Sequence, residues 1–379
     1  MFKFAGIIFV LAVFLAGCST SPSRPPSTVE EAATNPIPST LNWTNPGPLP
    51  SFPSPQWQEP EAPLLHSNIP PPIARGPAPP VNTWAPVREW AAAHHVGAPH
   101  RLADLSVTAY AVGSQYGTMV LEIGSIEATW NGVIVNLGFA PQLIDGEICL
   151  DRLDLKKNLE PLLCGPPLAF GKDPIIVIDP GHGGSNTGTH SVLDGRFEKE
   201  FTLDLARRLK PLLESNGWTV VLTRDSDTFV PNPYRVVFAR QHHADVFISL
   251  HFNSAAPDTK QAGLEIYCFT PTGMPSTVTR GYSDPWGEKL SSNDFDAQNL
   301  QLAVKLQGAL LHAIGMKDRG VRRARYIEVL RGQECPAVLI ENGYLSNPTE
   351  ARLIESPDYR QKLAEAIAAA LGRGNEDAK

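Results

Sequence analysis

Ile175-Ile176-Val177-Ile178-Asp179-Pro180-Gly181-His182-Gly183-Gly184 runs from a β-branched apolar segment straight into a glycine-rich turn. Two further runs end in the same manner: Val246-Phe247-Ile248-Ser249-Leu250-His251 and Ala337-Val338-Leu339-Ile340-Glu341. Short apolar runs bounded by turn residues predict strands buried on both faces, as in a parallel sheet. Between the first two, Glu198 opens an amphipathic helical stretch. In an open α/β sheet, chemistry sits outside the carboxyl ends of the strands. Two histidines and two glutamates, His182, Glu198, His251 and Glu341, therefore converge there as a metal site with a general base.

Outward from these runs, residues 173–372 alternate between strand and helix patterns. The expected strands are Ile175–Asp179, Trp218–Thr223, Val246–His251, Leu264–Phe269, Tyr326–Leu330 and Ala337–Glu341. The expected helices are Glu198–Asn216, Tyr234–His242, Ala297–Ile314 and Tyr359–Leu371, with Gly217 as a C-cap and Ser356-Pro357 opening the last one. The alternation predicts an α/β fold whose mainly parallel sheet is flanked by helices. Residues 84–165 predict a small β-rich α+β domain with a short helix at Val87–His95 and strand-like runs from Leu105 onward. It ends in a hairpin turning at Asp145-Gly146.

The chain has 379 residues, and half of its 36 prolines lie between residues 19 and 80. Such a stretch buries too little apolar surface to fold, so residues 18–83 are expected to be a disordered, semi-extended tether. In polyproline II geometry it reaches on the order of 200 Å. Ahead of it, Lys3, the apolar run Phe4 to Leu15 and Leu15-Ala16-Gly17-Cys18 form a targeting segment. The run is shorter than the ~20 residues that span a bilayer. Residues 1–17 resemble a bacterial lipoprotein signal, which implies cleavage before Cys18, lipidation of its thiol and membrane attachment. Ser19 in place of aspartate points to the periplasmic face of the outer membrane. A formal net charge of −7 offers no global basic field, so nucleic acid is not an expected partner. An exported chain permits disulfides, and Cys149 with Cys164 is the expected pair; Cys268 and Cys335, in or beside apolar strands, read as free thiols.

Two imidazoles and one carboxylate with an open fourth position are a catalytic zinc set. Zinc polarises a carbonyl and lowers the pKa of water to about 7. A carboxylate at a buried strand end, such as Glu341, has its pKa raised toward the working range and serves as the base. Taken singly, each residue has a bland alternative: a structural histidine after a turn, a carboxylate at a helix start, a strand-end ion pair. His94, His95, His242, His243 and His312 fall in helical patterns and read as surface or packing residues.

Several blocks carry a family resemblance, in order, over about half of the chain. They are Val177–Gly184, Phe197-Glu198-Lys199-Glu200 running into Leu205–Leu209, Thr223-Arg224-Asp225 with Asp227, Ala244–Asn253, Arg319-Gly320-Val321 and Ala337–Asn347. The segment is similar to the zinc-dependent N-acetylmuramoyl-L-alanine amidases of the amidase-3 family. That resemblance implies His182, Glu198 and His251 as zinc ligands and Glu341 as the catalytic carboxylate. It also implies peptidoglycan as substrate, cut between the lactyl group of N-acetylmuramic acid and L-alanine. Residues 84–165 loosely resemble wall-associated domains similar to the N-terminal domain of copper amine oxidases, which implies a binding or positioning role.

Phe252 stands where the family often has alanine, which predicts a narrower pocket beside His251. Pro271 to Asn299 reads as an insertion; some relatives block the zinc with such a segment until an activator protein displaces it. Asp284 and Glu288 are its candidate metal-approaching carboxylates, the alternative being a solvated loop. Arg319, Arg322, Arg323 and Arg325 either meet anionic glycan or stem-peptide carboxylates or face solvent. Two competing functions remain: a zinc peptidase acting within the stem peptide, and a wall-binding protein without catalysis.

Overall fold

A computed structural model describes residues 83–103 and 108–372. The targeting stretch 1–17, Cys18 with almost all of the tether, and the start of the strand expected from Leu105 lie outside the described residues. In chain order, β1 (Trp84–Pro86), α1 (Val87–Ala93), β2 (His100–Arg101), β3 (Ala109–Ser114), β4 (Gly117–Glu122), β5 (Glu127–Trp130) and β6 (Val133–Asn136) come first. The hairpin β7 (Gln142–Ile144) and β8 (Glu147–Asp151) leads into a continuous helical stretch. This comprises α2 (Arg152–Asp154), a π-helical segment (Leu155–Leu159) and α3 (Glu160–Leu163). Next come β9 (Ile175–Pro180), α4 (Glu198–Ser215), β10 (Thr219–Leu222), α5 (Asn232–Gln241), β11 (Val246–Asn253) and β12 (Leu264–Cys268). The chain closes with α6 (Asp296–Ile314), β13 (Asp318–Arg323), β14 (Ala337–Tyr344), α7 (Pro348–Glu355) and α8 (Pro357–Ala370).

Eleven strands form one sheet in the order β10-β9-β11-β14-β12-β13-β6-β5-β4-β3-β2. From β10 to β13, four neighbouring pairs are parallel and one, β12 with β14, is antiparallel. The expected mainly parallel α/β fold is thus borne out. The sheet then continues upstream: β13 pairs in parallel with β6 at Val321 and Val135, and β6 through β2 are antiparallel.

The apolar runs are continuous because both faces of the parallel part are covered. Ile176, Ile178, Val246, Ile248, Val338 and Ile340 join one core with α4, α6 and α8. Val177, Phe247, Leu339 and Tyr267 join a second core with Ala239 of α5 and Val329. Side chains alternate with period two along a strand, so Asp179, Ser249, His251, Glu341 and Glu265 belong to the second face.

Two expectations fail and one element went unpredicted, each for an identifiable reason. Tyr326–Leu330 is not a strand; Glu328–Leu330 is a 3-10 turn and the strand lies earlier, at β13. Its charges hide it in sequence, yet Arg319 and Arg322 reach Glu265 of β12 across the ladder. Helix α7 was not expected either; Pro348 opens it, and the Asn347 side chain accepts from the Thr349 and Glu350 amides. Finally, Cys149 and Cys164 are free thiols, as are Cys268 and Cys335. The helical stretch 152–163 carries Cys164 on the order of 15 Å from β8, beyond the reach of a disulfide.

Candidate metal centre

The turn after β9 presents its histidine in an unusual conformation. His182 has φ 63°, a left-handed backbone that costs a non-glycine residue roughly 1 kcal/mol. Two buried arginines hold it there. Arg235 donates to the Pro180 carbonyl at 2.9 Å and the His182 carbonyl at 2.8 Å. Arg224 donates to the carbonyls of Pro180 and Gly181, both at 2.9 Å. Arg235 is itself anchored on Asp179 at 2.5 Å, and Asp179 also accepts from the hydroxyls of Thr223 and Ser249. Burial works to raise the Asp179 carboxyl, but the Arg235 guanidinium and the hydroxyl donors hold it below the usual carboxylate range.

Within this frame His182, Glu198 and His251 meet, their ligand atoms all within 4.8 Å of one another. His182 Nε2 lies 3.0 Å from Glu198 Oε2, and His251 Nδ1 lies 2.9 Å from Glu198 Oε1. Asn186 Oδ1 accepts from the Gly188 amide, so it also accepts from His182 Nδ1 at 2.8 Å, which leaves Nε2 facing the cluster. Glu198 is oriented by the Thr189 amide at 3.1 Å and the Phe252 amide at 3.0 Å. Glycines allow the crowding: a Cβ at Gly181 would sit 2.3 Å from the His251 ring, and one at Gly188 would sit 2.6 Å from both Glu198 and His182.

The charges suit a cation. Burial opposes a charged Glu198, yet the two imidazoles hold its pKa far below the ordinary value. Burial also lowers His251 despite the opposing Glu198 carboxylate, which favours the neutral form that a metal ligand needs. For His182 burial acts in the same direction, but the Glu198 carboxylate outweighs it and the net shift is upward. Tetrahedral zinc with ligands at about 2.0–2.2 Å places donor atoms roughly 3.4 Å apart. The three donors therefore fit zinc after small side-chain adjustments.

Glu341 lies one strand away. His251 of β11 is registered against Glu341 of β14, and Glu341 against Glu265 of β12. Neighbouring strands are about 4.8 Å apart, so Glu341 stands beside the donor cluster. Its Oε2 is buried with no hydrogen-bond partner. Burial, then the Glu198 charge, push the Glu341 carboxyl well above the usual range; Arg280 pulls it down in part.

All four residues singled out in the sequence thus come together. Asp284 and Glu288 do not join them. Asp284 accepts from the Ser276 amide and pairs with Arg325, and Glu288 pairs with Arg331. Phe252 does not narrow the pocket: it is buried against Phe201 at 6.2 Å, on the opposite side of β11 from His251. Arg319 and Arg322 are committed to Glu265, while Arg323 and Arg325 are buried, so none of the four is a free surface cation. The positions that sequence reasoning missed are Arg224, Arg235, Asn186, Glu265 and Arg280. Only Arg224 lay in a recognised block.

Residues 176–373 match the family model described as N-acetylmuramoyl-L-alanine amidase. The N-acetylmuramoyl-L-alanine amidase AmiC of Escherichia coli is 33% identical over 242 residues, which cover 58% of this chain and 57% of that protein. AmiA of Escherichia coli is 31% identical over 51% of this chain and 73% of its own length. Among solved structures, the amidase AmiC2 of Nostoc punctiforme is 32% identical with a TM-score of 0.44, covering 54% of this chain and 97% of that one. The chain spans just over half the length of the first curated relatives that it matches.

Proposed function

The chain belongs to the N-acetylmuramoyl-L-alanine amidase family, and from that premise we propose that it hydrolyses the amide between N-acetylmuramic acid and L-alanine of the peptidoglycan stem. The observation that carries this reading is the meeting of His182, Glu198 and His251 one strand from Glu341. The three ligands would hold zinc, which supplies Lewis acidity toward the scissile carbonyl and acidifies the attacking water.

The remaining work belongs to the chain. Glu341 takes a proton from the attacking water with its unpartnered Oε2 and delivers it to the leaving nitrogen of L-alanine. Its raised pKa suits both halves of that transfer, since a more basic carboxylate accepts readily and its acid form still donates to an amine. Glu265 next door would be a competing negative charge, but Arg319 and Arg322 neutralise it. The arginine-bound turn fixes His182 before substrate arrives.

We place the enzyme in the cell envelope, lipid-anchored through Cys18, with residues 18–83 as the tether and the periplasmic face of the outer membrane as its location. The support is the sequence of the targeting segment. Residues 84–165 are read as a positioning domain for 173–372. An activator acting on 271–299 would have to part the Asp284–Arg325 and Glu288–Arg331 pairs.

Mass spectrometry of sacculus digests tests the bond cut. Zinc-loaded protein is expected to release intact stem peptides beginning with L-alanine. Fragments that keep L-alanine on the muramic acid would instead identify a peptidase.

A further inference from the structure

The insertion holds one arginine in a position that neither the fold nor the zinc site requires. Thr279-Arg280-Gly281-Tyr282 forms a tight turn closed by the Tyr282 amide donating to the Thr279 carbonyl at 2.9 Å. Both central residues have positive φ, 48° at Arg280 and 82° at Gly281. A type I′ turn asks for this, and asparagine or glycine normally fills the first position. An arginine there is strained, and such outliers gather where a side chain must be aimed.

The turn is pinned from two directions. Tyr282 stacks on Tyr326 with centroids 5.2 Å apart and an interplanar angle of 14°. Next to it, Asp284 is fixed by Ser276 and Arg325. The Arg280 guanidinium lies 6.0 Å from the Tyr326 ring centroid and reaches Asn253 Oδ1 at 3.5 Å. Asn253 lies two residues beyond the ligand His251, about 7 Å along the strand.

The contrast with its neighbours is in the pairing. Arg319 and Arg322 pair with Glu265, Arg325 with Asp284, and Arg331 with Glu288. Among the described residues Arg280 has no ion-pair partner, and its only hydrogen bond is the long one to Asn253. It remains solvent-exposed, although Tyr267, Tyr326, Glu341 and Glu265 all act on it electrostatically. A guanidinium with most of its five donors unused matches a carboxylate in bidentate geometry. In the stem peptide the residue after L-alanine carries a carboxylate about two residues' backbone length or less from the scissile nitrogen, roughly 6–7 Å. Glu341 and Glu265 act electrostatically on Arg280, so its guanidinium lies within reach of the site.

We propose that Arg280 binds the free carboxylate of the second stem residue and so makes the enzyme selective for stems that are not amidated there. This rests on the amidase reading above. Arg280 touches substrate rather than the reacting bond, so it is a specificity residue.

The test uses two muropeptides that differ only at the second stem residue, D-isoglutamate in one and its amide, D-isoglutamine, in the other. The zinc-loaded full chain is expected to favour the acid at least tenfold in kcat/KM, chiefly through KM. Arg280→Ala should bring the ratio close to one, and Arg280→Lys should leave it between the two. Zinc content and melting temperature are measured for each variant; if Arg280→Ala does not fold, Arg280→Gln carries the same comparison. A wild-type enzyme without preference overturns the assignment, as does an unchanged ratio in the variants. An equal fall in kcat on both substrates also overturns it, because Arg280 would then serve Glu341. If both substrates are cut at the proposed amide without preference, only the role of Arg280 fails. If neither is cut there, the amidase reading fails first.

Discussion

The two ends of the eleven-stranded sheet obey different rules. In the parallel part, β9, β11, β12 and β14 are buried at almost every position, because helices and loops cover both faces. In the upstream part, β3, β4 and β5 alternate between buried and partly exposed residues, as antiparallel strands covered on one face do. The donor cluster among the described residues lies at the parallel end. Parallel neighbours bring their carboxyl ends to the same edge, so three unrelated segments deliver side chains to one place. Antiparallel neighbours send successive strand ends to opposite edges. The site is a product of that topology as much as of its residues.

The sharpest way to break this contrast is at Glu341. Glu341→Gln should keep about one zinc per chain by elemental analysis while turnover falls by ~10²–10⁴-fold; a variant that retains activity would remove the base from the scheme. The proposed base, Glu341, is protonated at low pH. Activity should therefore rise with pH as Glu341 loses its proton; burial, the largest cause of its upward shift, persists when a metal offsets the Glu198 charge, and a kcat/KM profile reads this directly. Removing zinc with a chelator should abolish turnover, and zinc added back should restore it.

Next in size is Asp179→Asn, which leaves Arg235 buried without its counter-charge. Removing one partner of a buried pair costs about 3–5 kcal/mol, measurable as a lower urea midpoint. Asp179 has a folded pKa below its unfolded value of about 3.9. Its contribution is thus complete above that value and is lost as pH falls toward the folded one; the variant should lack this part of the acid destabilisation. At the seam between the two ends, Asp318 accepts from the Ile134 amide at 2.7 Å and from Gln307 at 2.8 Å. Asp318→Ala should cost about 1–3 kcal/mol without changing turnover per folded molecule. Smallest of all, the exposed Arg88–Glu147 pair at 3.3 Å should contribute under about 1 kcal/mol, so Glu147→Ala should melt close to wild type.

What sequence reading could see follows from the same physics. β9, β11 and β14 were legible because a strand covered on both faces must be apolar at consecutive positions. His182, Glu198, His251 and Glu341 were legible because each stands where such a run, or a helix, begins or ends. β13 was not, since Asp318, Arg319, Arg322 and Arg323 make it polar, and their partners lie on segments distant in sequence. Arg224 and Arg235 were missed for the opposite reason: a basic residue in a turn or on a short helix has no local mark of burial. Their function appears only when the carbonyls of Pro180, Gly181 and His182 are brought to them.

The close approach of Gly181 and Gly188 to the ligand side chains has a consequence for anyone wishing to transplant this centre. The cage walls are main chain, which cannot rotate out of the way as a side chain does. Grafting two histidines and two glutamates onto another α/β scaffold would copy the contents and leave out the container. The portable unit is the pair of glycine-bearing turns, together with the two arginines that hold the first of them in shape.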